Sequence, residues 1–218
     1  ETPLLDPRMH AQGLHGLLLS GGSAFGLDAA GGVMRYLEER GIGVEVGEAH
    51  VPLVCQSCIF DLSVGQGGLR PDGGMAYAAC ASAGRTPLAN GCVGGGTGAT
   101  VGKYRGLGYA MKSGFGACAV QLGRLKVGAA VVVNALGDVF DLDSGAQIAG
   151  LRTEDGAGLR STEEEMWRDG ERMGALPGGN TTIGAVFTNG AFTKSQLGKI
   201  ASMAHNGYAR TIRPVHTT

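Results

Sequence analysis

Glycine limits this chain more than any other residue: 41 of its 218 residues are Gly, about 19% against an ordinary 7%. The glycines follow no triplet period, which excludes a collagen helix, and they sit beside Ala, Val and Leu. Such a chain must use them for close packing and for loops lined by backbone N–H groups. A hydrophobic content of 43% is enough for one sizeable core, and a net charge of -1 excludes a polybasic nucleic-acid arm and a disordered acidic tail. No apolar run approaches the ~18 residues of a membrane span, and Glu1 is followed by no signal-like apolar region. The reading is a cytoplasmic protein with no membrane or nucleic-acid partner. Five cysteines, Cys55, Cys58, Cys80, Cys92 and Cys118, fit a reducing compartment better than a disulfide framework.

Hydrophobic periodicity predicts α+β packing in one domain, 1–218. A strand at Leu17–Leu19 enters the turn Ser20-Gly21-Gly22-Ser23, and Leu27, Ala30, Met34 and Leu37 recur at helical spacing until Arg40-Gly41. A second strand lies within His50–Leu62, and residues 73–84 form a small-residue helix that other elements can approach closely. Gly116–Leu122 and Leu125–Asn134, separated by Gly123-Arg124, read as a β-hairpin. Leu151–Arg172 carries eleven Asp, Glu and Arg side chains and no Lys, and is expected to be the charged part of an exposed linker, 146–180. A strand at Thr181–Thr188 and a helix opened by the capping box Thr193-Lys194-Ser195-Gln196 follow. The chain opens without methionine and stops in what reads as mid-segment, so a processed protein or a fragment truncated at both ends is expected.

Several motifs fail on their chemistry. Gly21-Gly22-Ser23-Ala24-Phe25 is not a nucleophile elbow, because Phe25 stands where the second glycine is needed and no Asp and His series follows. In Gly94–Lys103, Thr97 replaces the first glycine of a phosphate loop and Tyr104 replaces its hydroxyl residue. What survives is a donor-rich loop that delivers Lys103 to a fixed place; from spacing alone a solvated lysine is favoured. Cys55 and Cys58 have no second pair at zinc-finger distance and, three apart on a strand, face opposite sides. The five histidines show no metal-binding spacing, so neither a metal nor any other cofactor is assigned.

The junction Gly178-Gly179-Asn180-Thr181-Thr182 is the informative one. Attack of Thr181 Oγ on the carbonyl of Asn180 would give an ester by an N-to-O acyl shift, and hydrolysis would leave Thr181 as a chain terminus. The freed α-amine has an ordinary pKa near 8, so one residue then supplies nucleophile and general base.

Ser20–Ala30, Gly94–Lys103, Gly179–Ile183, Ala204-His205 and Ile212–Thr217, in this order, resemble the DmpA-type aminopeptidases, nearest the branch of the nylon-oligomer hydrolases (NylC-like). The resemblance implies an αββα sandwich, shared with ornithine acetyltransferase. It also implies self-cleavage between Asn180 and Thr181 into an α-subunit, 1–180, and a β-subunit beginning with 181–218, and a homo-oligomer, usually a tetramer. By position it makes Thr181 the nucleophile for a small peptide or amide substrate, Asn134 an oxyanion donor, and Lys103 a group that orients the nucleophile or lends positive charge. Phe60 falls where some members place a substrate-binding tyrosine and has no hydroxyl to offer. An acidic Asp-Gly-Asp pair is expected beyond Thr218. The rival activity is an acyltransferase, which alone would make acetylglutamate from acetylornithine and glutamate; a second rival is an uncleaved, silent scaffold.

Overall fold

The computed structural model describes residues 2–84, 88–170, 174 and 178–217. After a 3-10 turn at Thr2–Leu5, strand β1 (Gly16–Ser20) passes through a 3-10 segment, Ser23–Ala29, into α1 (Ala30–Glu38). Strands β2 (Val44–Val46), β3 (Ala49–Val51) and β4 (Val54–Cys58) precede α2 (Gly73–Ala81). The middle of the chain is strand-rich: β5 (Thr100–Val101), β6 (Met111–Lys112), β7 (Phe115–Leu122), β8 (Leu125–Asn134), β9 (Asp138–Phe140) and β10 (Gln147–Ala149). Helix α3 (Thr162–Asp169), strand β11 (Thr181–Thr188), helix α4 (Lys194–Thr211) and strand β12 (Ile212–Arg213) complete it. The mixture of helices and small sheets is α+β, as the periodicity predicts.

β1 and β4 pair in parallel, Leu17 opposite Cys55, and the connection between them carries α1, the crossover a parallel pair requires. Ala29, Val33, Val54 and Ala76 form the buried cluster between this pair and the two helices. The small-residue prediction for α2 holds at the contact itself: a Cβ on Gly32 of α1 would lie 1.9 Å from Gly73 O. Helix α1 begins later than the apolar spacing predicts, because Gly22 and Ser23 take φ of 86° and 54° and the chain first winds a 3-10 turn. The strand expected within His50–Leu62 is broken by Pro52, which cannot donate to a ladder.

The central sheet has the order β11-β8-β7 and is antiparallel throughout. Its hairpin closes at Leu122 opposite Leu125, with Gly123 at φ 59° at the first turn position, where a II′-type turn needs glycine. Ile59, Ala99 and Val132 pack behind it with Leu19, Phe115 and Ile183. β9 pairs with both β10 and β12 in a second small sheet. The capping box at Thr193 forms as expected, with both side chain-to-backbone bonds present.

The charged segment is the largest departure. Leu151–Gly170 is not an exposed linker: Leu151 and Thr162 are fully buried and Glu165 is 2% exposed. Its charges pair with each other and with the loop after Lys103. Glu165 receives Arg105 at 2.9 Å, Arg160 at 2.6 Å and Arg168 at 2.9 Å, and Asp169 receives Arg105 at 2.9 Å and the Tyr104 hydroxyl at 2.7 Å. Buried Asp138 ties the segment at both ends, accepting Leu151 N at 2.8 Å and Thr162 N at 2.7 Å. Glu171 and Arg172 lie outside the described residues.

Candidate active site

β11 and β8 are in a register that sets Thr181 directly opposite Asn134. The first residue of one strand and the last of its neighbour therefore project on one face at one sheet end. Asn134 is fully buried, and all of its amide is used. Its Nδ2 donates to Phe60 O at 2.8 Å, Thr181 Oγ1 at 3.1 Å and Gly179 O at 3.2 Å. Its Oδ1 accepts Thr100 N at 3.0 Å and Lys103 Nζ at 3.1 Å. These bonds fix the amide orientation, because only the NH₂ can serve the three acceptors.

Lys103 is 6% exposed, so the solvated lysine favoured by spacing alone is not what forms. Gly102, at φ 67°, brings it in; a Cβ there would lie 2.0 Å from Leu151 N, so the loop and the charged segment touch backbone to backbone. Its Nζ donates to Asn134 O at 2.9 Å, to Asn134 Oδ1 and, at 3.4 Å, to Gly179 O. Among the described residues no carboxylate forms an ion pair with it. Burial without a counter-charge lowers its pKa to about 8.

The Thr181 hydroxyl oxygen accepts a second donor, the Phe60 backbone N–H, at 3.2 Å. Sequence reasoning gave Phe60 a substrate-contacting side chain but missed this backbone role, which no residue type signals. The half-exposed ring lies on the junction: a Cβ at Gly179 would fall 2.4 Å from a ring carbon. Phe60, Thr100, Lys103, Gly178 and Gly179 line a cavity of about 100 Å³ on this side of the junction, with Asp61. The other side opens into a cavity of about 180 Å³ bordered by Thr181, Thr182, His205, Tyr208 and His216. The two imidazoles, whose ring centres are 5.5 Å apart, are residues that histidine spacing did not bring together.

The remaining motifs lie elsewhere or serve structure. Gly94–Gly96 is a 3-10 turn leading into β5, not a phosphate cradle. Ser23 caps nothing with its side chain, and its N–H donates to Ile59 O at 2.9 Å. Cys55 is buried, while Cys58 Sγ lies 3.2 Å from Ser20 Oγ. Among the described residues no group of three or more His, Cys, Asp or Glu could hold a metal ion, and no helix is long and apolar enough to cross a membrane.

The chain is 41% identical to an uncharacterized aminopeptidase of Mycobacterium tuberculosis over 224 residues, covering all of this chain and 62% of that protein. It is 29% identical to the 6-aminohexanoate-oligomer endohydrolase of a Kocuria species, over 93% of this chain and 57% of that one. The chain thus spans about three-fifths of the length of the curated relatives it matches. In three dimensions it is similar to the PH0078 protein of Pyrococcus horikoshii OT3, with a TM-score of 0.53 and 25% identity over 84% of this chain and 45% of that one. The model of Peptidase family S58 matches residues 1–218, the whole length, and this chain belongs to that family.

Proposed function

We propose that the protein is a self-processing amide hydrolase in which Thr181 cleaves its own chain and then its substrates. The observation that carries this reading is the pair of donors on Thr181 Oγ1, Asn134 Nδ2 at 3.1 Å and Phe60 N at 3.2 Å. An oxygen that accepts two N–H groups is stabilised as it loses its proton, and the same donors serve negative charge that develops beside it.

In the first reaction Thr181 Oγ bonds to the Asn180 carbonyl carbon, the bond to Thr181 N breaks, and the nitrogen takes the proton that Oγ gave up. Water then hydrolyses the ester, leaving a carboxylate on Asn180 and a free amine and hydroxyl on Thr181. In the second reaction the amine takes the proton from its own Oγ, which attacks a substrate amide; Asn134 holds the oxyanion, and water releases the acyl group. Lys103 holds Asn134 through Oδ1 and lends positive charge to the same pocket. The reading includes division into 1–180 and 181 onward, an αββα sandwich, a homo-oligomer and a cytoplasmic setting, as the resemblance implies. Relatives named as aminopeptidase and as oligomer endohydrolase make short peptides and linear ω-amino-acid oligomers the substrates to try.

Thr181→Ala tests it. Both self-cleavage and amide hydrolysis are lost, while Thr181→Ser keeps part of each because the hydroxyl is what the chemistry uses. A processed, active Thr181→Ala protein overturns the assignment.

A further inference from the structure

The uncleaved junction occupies the place of a substrate. If Thr181 is the nucleophile, as proposed above, one Oγ attacks both the Asn180 carbonyl and the substrate carbonyl, so the acyl part of a substrate lies where Gly179-Asn180 now lies. Two features of that place select what fits. First, two donors converge on Gly179 O, Asn134 Nδ2 at 3.2 Å and Lys103 Nζ at 3.4 Å. Second, the Phe60 ring closes over Gly179, where a Cβ would lie 2.4 and 2.8 Å from ring carbons and where φ is 83°.

From these we infer that the groove beneath Phe60 is an acyl-side subsite for an internal amide: the residue before the scissile bond is itself acylated, and the unit before that is glycine or an unbranched methylene chain. A substrate with a free amine on the residue in the Asn180 position has no carbonyl for the two donors. It brings an ammonium to a cavity where Lys103, with a pKa of about 8, is still mostly protonated at neutral pH. Such a substrate needs a carboxylate nearby. Asp61 is the one carboxylate among the described residues that line the cavity, and it is engaged in the fold. Its Oδ1 accepts Gly22 N at 2.7 Å, and its Oδ2 is packed where a Cβ on Gly21 or Gly98 would come within 2.3 Å. The site is therefore built for endo-cleavage of flexible, unbranched chains, not for removal of a single residue with a free terminus.

Three p-nitroanilides test this on the processed full-length protein: acetyl-Gly-Asn, acetyl-Val-Asn and Asn with a free amine. The inference predicts that kcat/KM for acetyl-Gly-Asn exceeds that for each of the others by about tenfold or more, the effect of one lost polar contact or one steric clash in a tight site. Phe60→Ala narrows the Gly-to-Val ratio and leaves the preference over the free amine in place. Equal or faster hydrolysis of the free-amine substrate by a protein that is processed and depends on Thr181 overturns the subsite and leaves the nucleophile standing. A protein neither processed at Asn180-Thr181 nor active on any of the three overturns both.

Discussion

Glu165 on α3 is 2% exposed and meets three guanidinium groups, whereas Lys103, 6% exposed, meets only neutral oxygens. The arginines hold the Glu165 carboxyl below the usual carboxylate range, the hydrogen bond from Arg160 first, so it is ionised at every pH at which the protein is folded and its role is to hold. Lys103 has had its pKa pulled toward neutrality and its role is electrostatic. The two are connected, since Arg105, two residues after Lys103, is one of the groups on Glu165. A compensated buried charge thus anchors the loop that carries an uncompensated one. A residue that could be a stabilised ion pair and instead faces only amides is the stronger functional signal of the two.

Breaking the anchor should have the largest effect on stability. Glu165→Ala leaves three arginines without their shared carboxylate and should cost about 3 kcal/mol, the low end for removing one partner of a buried pair because the guanidiniums remain partly open to water. Chemical denaturation of the unprocessed Thr181→Ala background measures it, and a loss under about 0.5 kcal/mol, as for a surface pair, would erase the contrast with Lys103.

Asn134→Ala removes a donor from Thr181 Oγ1 and should lower kcat about 10²-fold with slower self-cleavage. If KM alone rises in steady-state kinetics, Asn134 binds substrate and does not stabilise charge.

Lys103→Met sharpens the comparison in the opposite direction. Below pH 8 the folded and unfolded states both carry the proton, and burying it costs the fold on the order of 3 kcal/mol. Between about 8 and the unfolded value near 10.5 the unfolded chain binds more protons, so wild-type stability should rise with pH in that window. Lys103→Met should therefore unfold no more easily than wild type at pH 7, despite losing the hydrogen bonds and the processing. Its advantage should shrink as the pH passes 8 toward 10. Melting curves across that range check the sign: an advantage that grows with pH contradicts an uncompensated ammonium.

The smallest effect belongs to Gly179→Ala, which puts a Cβ against the Phe60 ring at a φ that favours glycine. Self-cleavage should slow by about tenfold or less, since a half-exposed ring can move aside, and a time course on gels reads it.

How much of this was legible in the sequence follows from which forces leave local marks. The β7–β8 hairpin and the Thr193 capping box were readable because turn and cap chemistry is local. Thr181, Asn134 and Lys103 were readable through the junction and the resemblance, and the strand register then places two of them opposite each other. Residues 151–170 were misread because charge density looks the same whether the partners are water or arginines; only tertiary contact tells Glu165 from a solvated glutamate. The Phe60 N–H left no mark, since every residue but proline has one. His205 and His216 stand on α4 and beyond β12, so their closeness depends on how the chain turns after the helix rather than on spacing.

The central claim is that Thr181 becomes a chain terminus, and the intact mass of the full-length protein tests it most directly. Two chains, one ending at Asn180 and one beginning at Thr181, with a Thr181→Ala protein that stays in one piece, are what the account predicts. A single uncleaved chain after long incubation, or a break at any other bond, would contradict it.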